Sequence, residues 1–199
     1  MAASYLHSAN RIQFANPAGV TVEYSRDNGA TWTDYGLSNT DKIKLISGLG
    51  TTISAGKKTS GITTNDKIRI TLNALAMGCY TRAKKILLNI TTSGAQNTTV
   101  LVEHSKIGSP TTFATLGTYS ISGWSGWNAI PVDVAWGGSA SQTSQTQNLR
   151  FTFNIGGLHS NTSYSNALQV LDIMLLGETY WTVPSNMAKT GHLYTWDEA

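Results

Sequence analysis

Ser25, Asp27, Gly29, Thr31 and Trp32 fall at the spacing S-x-D-x-G-x-T-W in a chain of 199 residues. A carboxylate so placed can accept hydrogen bonds from the backbone amides of its own turn, or it can stand beside a ligand as an acid. The flanks favour the first use, because Val20 to Tyr24 alternates like a strand and Trp32 to Tyr35 resumes one. Asp27-Asn28-Gly29 between two strands supplies residues that tolerate positive φ. The segment therefore reads as a tight hairpin in which Asp27 caps turn amides, Gly29 allows the bend and Trp32 packs beneath. All three are expected to be structural.

The second group with chemical potential is aromatic. Trp124 and Trp127 flank Ser125-Gly126, Asn128 follows at once, and Trp136 lies near in sequence. Two indoles presented by a loop can stack on the C–H faces of a sugar while a few polar groups fix its orientation. On that reading Trp124, Trp127, Asn128 and Trp136 form a glycan-binding site. On the other, the tryptophans fill the core beside Ile121 and Ile130. Gly123 and Gly126 suit both.

Other chemistries find less support. His7, His104, His159 and His192 are far apart and lack the short spacings of metal motifs. Asp27, Asn28 and Asp34 gather oxygen ligands near one hairpin, but no calcium loop with acids at alternate positions exists. No metal and no cofactor is expected. The Ser25–Trp32 pattern is an Asp-box, which invites comparison with sialidases. Such an enzyme needs an arginine cluster, a tyrosine activated by a glutamate, and an acid, on a propeller that would repeat the motif blade by blade. This chain holds one copy, and Arg11, Arg26, Arg69, Arg82 and Arg150 are scattered. Arg69 and Arg150 alternate with apolar neighbours and are expected to face solvent. Glu103, Asp133, Asp172 and Glu178 are the carboxylates from which a hydrolytic pair could be drawn. No G-x-S-x-G elbow occurs. The chain reads as a non-enzyme.

These groups must be positioned by strands. Strand-length runs appear at Arg11 to Phe14, Val20 to Tyr24, Lys42 to Ile46, Lys67 to Leu72, Lys85 to Thr91 and Thr98 to His104. Others follow at Phe113 to Ile121, Ile130 to Val134, Asn148 to Ile155 and Ala167 to Leu176. Helix is confined to a turn or two, with Thr40 to Ile46 and Asn73 to Met77 the best candidates. Strands at this spacing without long helical crossovers predict an all-β fold: an antiparallel two-layer β-sandwich, jelly-roll-like, of the carbohydrate-binding-module type. Residues 1–181 form that domain, with the hairpin at 20–35, and 182–199 read as a C-terminal extension. Ser47 to Asn65 and Gly137 to Gln147 are Gly-, Ser- and Thr-rich or polar and are expected to be loops.

Composition narrows the partners. Only 13% of residues are charged, and the net charge of +3 is dispersed, with Lys57-Lys58 and Lys84-Lys85 the basic pairs. A phosphate-tracking patch is absent, so nucleic acid is not an expected partner. Cys79 is alone and can form no internal disulfide. No run approaches the roughly 20 apolar residues that span a bilayer, and Met1 to His7 lacks a signal-peptide pattern, so cytoplasmic synthesis without membrane insertion is expected.

Three segments together resemble a domain of tail-fibre and receptor-binding proteins of bacteriophages and prophages of gut bacteria. They are the hairpin Thr21 to Gly36, the turn Ser122-Gly123-Trp124-Ser125-Gly126-Trp127-Asn128, and the terminal Met187 to Tyr194. The resemblance implies a place in the virion, attachment to a bacterial surface glycan or protein, and assembly with other fibre subunits, as a homotrimer in many fibres. It also implies that 182–199 lead into further fibre sequence. A purely structural spacer or trimerisation module is the alternative, and a glycan-degrading enzyme a more distant one.

Overall fold

Even-numbered residues of Leu149–Ile155 are polar and odd-numbered ones apolar, and this alternation marks the strand at the centre of the molecule. The computed structural model describes residues 16–47, 51, 53–54, 64–78, 80–92, 98–121, 125–155 and 168–178. In it Leu149, Phe151 and Phe153 of β9 (Thr146–Asn154) are fully buried. Leu72, Ile70 and Ile68 of β4 (Lys67–Asn73) pair with them on one side. Val102 and Val100 of β6 (Thr98–Lys106) pair with Phe151 and Phe153 on the other. Continuing outward, β1 (Val20–Ser25) lies against β4 and β2 (Thr33–Asp34) against β1. At the opposite edge β7 (Ser109–Ile121) lies against β6. This first layer has the order β2-β1-β4-β9-β6-β7.

The second layer is built from β8 (Ser125–Gly137), β5 (Tyr80–Thr92), β10 (Leu168–Glu178) and the short β3 (Ile53–Ser54), in the order β8-β5-β10-β3. A single parallel bridge, Trp136 to Thr146, joins the layers at one corner. Ala83, Ile86, Leu88, Ile90, Ile130, Val134, Trp136 and Ile173 turn inward and share one core cluster with the buried residues of the first layer. Only β1–β2 and β6–β7 are consecutive strands within a layer, and all other consecutive strands alternate between the two layers. That winding is a jelly roll, and the all-β two-layer sandwich expected from strand spacing is the fold observed.

Both helical candidates form. Lys42 to Ile46, which also reads as a strand-length run, is helical and not extended, within α1 (Asn39–Ser47), which packs against β10. The Ser38 hydroxyl accepts from the Asp41 amide at 3.1 Å and donates to the Asp41 carboxylate at 2.8 Å, a capping arrangement that starts the helix. Leu45 and Ile46 then enter the core. The second helical candidate forms one turn, α2 (Ala74–Met77), capped by the Asn73 side chain and closed by Gly78 at φ 65°. Arg11 to Phe14, most of the Ser47–Asn65 loop and the proposed 182–199 extension lie outside the described residues.

Candidate functional site

The Ser25–Trp32 turn is tied together by its own side chains. Thr31 donates its amide to Asp27 at 2.8 Å and its hydroxyl to the other carboxylate oxygen. The Ser25 hydroxyl donates to Asp27 at 2.7 Å and accepts from the Gly29 amide at 2.8 Å. These bonds, those from Thr31 foremost, lower the Asp27 carboxyl to about 2. Asn28 and Gly29 both take positive φ, 63° and 93°. A methyl group at Gly29 would stand 3.3 Å from the Trp32 ring, and the Arg69 guanidinium lies 4.0 Å from the centre of that ring. The connection is not a tight two-residue hairpin, however. Tyr24 pairs with Thr33, so the loop runs from Ser25 to Trp32, and the Asn28 amide is bonded to the Asn65 carbonyl. The extra length is what lets a side chain rather than the opposite strand satisfy the turn amides. A shallow pocket of about 250 Å³ beside the turn is lined by Tyr24, Ser25, Arg26, Asp27, Thr31 and Thr33. Its carboxylate is already occupied by the turn.

The aromatic group divides. Trp127 is not on a loop: β8 begins at Ser125, and Gly126, at φ 131°, pairs with Ile90 while Trp127 pairs with Asn89. Even-numbered residues of β8 point inward, with Ile130, Val134 and Trp136 buried, so Trp127 points outward and is 49% exposed. It is the one exposed large hydrophobic side chain among the described residues. Trp136 must be corrected from ligand contact to core. It is wholly buried, and its indole N–H donates to the Gln147 carbonyl at 3.2 Å. Asn128 pairs with buried Leu88 and donates to the Gly126 carbonyl at 3.3 Å, so it does not stand beside Trp127. Trp124 lies outside the described residues.

The neighbours of Trp127 come from other strands. Asn89 sits opposite it on β5, and the register places Asp172 of β10 opposite Asn89. Trp127 and Asn89 thus lie side by side on the outer face of the second layer, with strands spaced about 4.8 Å apart, and the β10 backbone at Asp172 continues their row. The half-buried Asn89 amide makes no hydrogen bond to another described residue. An aromatic face and an amide side by side are groups that hold a sugar by ring stacking and hydroxyl hydrogen bonds. Local sequence gave no sign of Asn89. Parity counted from buried Ile130 is the signal that would have set Trp127 outside and Trp136 inside.

The outer face of the first layer is chemically closed. Arg69 and Arg150 point outward as expected, but each is only 19% exposed. Arg69 is paired with Glu23 at 2.7 Å and stacked on Trp32; Arg150 is paired with Glu103 at 2.8 Å and stacked on Phe113. On the second layer Arg82 meets Asp133 through two of its guanidinium nitrogens, Nε and Nη2, Lys84 joins at 3.1 Å, and together they hold the Asp133 carboxyl well below the usual range. His104 is half-buried with Nδ1 2.9 Å from the Thr146 hydroxyl, and burial lowers its pKa. Among the described residues no group of three or more His, Cys, Asp or Glu is placed to hold a metal ion.

No family model matches the chain, and no curated protein does. Solved structures do. A family 32 carbohydrate-binding module of Clostridium perfringens NanJ, in complex with galactose, is 10% identical over 82% of this chain and 98% of its own, with a TM-score of 0.42. A chitosan-binding module of a chitosanase/glucanase from a Paenibacillus species is 17% identical over 81% and 98%, with a TM-score of 0.42. The C-terminal domain of a Bacteroides fragilis chitobiase is 12% identical over 86% and 100%, with a TM-score of 0.46. Similarity at this level leaves the chemistry to be read from this chain's own residues.

Proposed function

We propose that this β-sandwich binds a glycan on a bacterial surface without cleaving it, as a domain of a bacteriophage tail fibre. The observation that carries the binding half is the pair Trp127–Asn89 on the outer sheet face, with Trp127 half exposed. A half-exposed indole beside an amide that bonds no other described residue offers both a stacking surface and a hydrogen-bonding group to a sugar.

The non-catalytic half is supported by where the candidate carboxylates fall. Glu103 and Asp133 are on opposite outer faces of the sandwich and each is held by an arginine. Asp172 and Glu178 are on one strand, six positions and so about 20 Å apart. Glycoside hydrolysis needs a pair roughly 5 to 10 Å apart. The tail-fibre half is supported by the resemblance of the segments at 21–36, 122–128 and 187–194, the last of which lies outside the described residues. Residence in the virion, contact with the host surface and assembly with other fibre subunits as a homotrimer belong to the same proposal.

One observation favours a second reading. Trp127, Ala129 and Pro131 with Leu87 form an apolar strip, which is also what a subunit interface of a fibre spacer would present. A glycan array probed with the purified chain, with light scattering for its oligomeric state, separates the two. Hits that vanish in Trp127→Ala support the glycan reading. A stable trimer with no hit on any glycan supports the spacer, and release of shortened glycans would support the hydrolase.

A further inference from the structure

The rows next to Trp127 bear on which glycan the face fits, a question that rests on the glycan reading above. Passing along β8 and β5, the row after Trp127–Asn89–Asp172 is Ala129, Leu87 and Met174, and the next is Pro131, Lys85 and Leu176. The middle row carries no charge, and Ala129 is small and exposed, so the surface between Trp127 and Lys85 is low and uncharged on the β8 side.

Lys85 owes its position to an irregularity in the sheet. Ala83 and Ile86 are both buried, so strict alternation cannot hold between them, and Lys84 and Lys85 both emerge exposed on the outer face. The register of β5 shifts there against both β8 and β10. The two lysines then differ in what they meet. Lys84 joins Arg82 on Asp133. Lys85 shares its row with Pro131 and Leu176, neither of which can take its charge, and it forms no ion pair among the described residues. The register pairs Asp172 with Asn89 in the Trp127 row and Glu178 with Arg82, and Lys85, unpaired among the described residues, lies in a row between them. Four residues of strand separate the Trp127 and Lys85 rows, about 13 Å. That is farther than one sugar ring reaches.

We infer that the face takes an acidic oligosaccharide, with one sugar stacked on Trp127 and an anionic substituent of a neighbouring sugar, carboxylate, sulfate or phosphate, set against Lys85. A lysine suits this role because its ammonium is a mobile point charge that follows a substituent whose position varies between glycans.

The test is an array bearing sialylated, uronate-containing and sulfated oligosaccharides beside their neutral cores, followed by calorimetry on the best-bound acidic and neutral pair. The wild-type chain is expected to prefer the acidic member by about 2- to 5-fold at low salt, the range of an exposed charge pair. The preference fades at about 0.5 M salt. Lys85→Gln, which removes the charge from an exposed side chain, binds both members as the wild type binds the neutral one. Equal affinity for the pair in the wild type, or a preference that survives in Lys85→Gln, overturns the acidic assignment while leaving the glycan reading intact so long as Trp127→Ala loses both ligands. Binding of neither member, or undiminished binding by Trp127→Ala, removes the glycan reading and this inference with it.

Discussion

Replacing Trp127 by alanine isolates the binding face from the fold, and its effect can be worked out beforehand. The residue is 49% exposed, which for a side chain of up to roughly 250 Å² leaves about 120 Å² for a ligand to cover. At about 25 cal/mol per Å² the whole of that surface would contribute about 3 kcal/mol. A pyranose lies on one face of the ring and covers about half, so the expected loss is about 1.5 kcal/mol, or roughly tenfold in Kd. Because the buried half of the ring lies on a sheet surface and not in the core, the fold should survive at a cost of about 1 kcal/mol. The assay is calorimetric titration of the wild type and Trp127→Ala with a glycan selected from an array, alongside urea unfolding of both. Competition for adsorption to host cells gives the same comparison in a biological setting. A Kd unchanged within twofold in a variant of normal stability would refute the placement of the site.

Two further outcomes test the separation of structural from binding residues. Trp136→Ala should cost about 3 to 5 kcal/mol in urea unfolding, the range for a large buried aromatic, while any glycan Kd measured on the folded fraction stays as in the wild type. Asp27 offers a pH signature. Its folded-state pKa of about 2 lies below the ordinary carboxylate value of 3.8, so its contribution is present above that value and disappears as pH falls through the folded one. Thermal midpoints of the wild type should therefore fall more steeply from about pH 4 to pH 2 than those of Asp27→Asn, and parallel curves would show that the turn does not depend on the carboxylate.

The layers of the sandwich were readable because most strands announce themselves by parity. Leu149 to Ile155 and Lys67 to Leu72 needed only alternation, and the core they build is the one observed. Lys42 to Ile46 reads both as a strand and, from Thr40, as a helix, because Lys-Ile-Lys-Leu-Ile alternates in part while the hydroxyl and carboxylate that decide for the helix stand before it, at Ser38 and Asp41. The start of β8 was hidden for a different reason. Gly123-Trp124-Ser125-Gly126-Trp127 has the composition of a turn, yet pairing with β5 extends the strand back through Gly126. Tertiary pairing overrode local propensity. The same non-locality concealed Asn89, which meets Trp127 only through a register that no short window of sequence contains. The bonds of Asp27 within its turn were legible because they are made within a few residues, whereas the length of the loop and its ties to Asn65 and Arg69 were not.

The crossing of consecutive strands between layers has a kinetic meaning. Ile68 must find Phe153 and Val100 must find the same residue before the central strand is covered on either side. Those pairings close long loops before they bury much surface, which places a chain of this topology among slow folders, on the scale of milliseconds to seconds or longer. During that interval the Phe151 and Phe153 face is open to other nascent chains, so the yield of native protein depends on how many copies fold at once. The hairpin at Asp27 is the part of the fold exempt from this delay, since its bonds are local and can form while the rest of the chain is still searching.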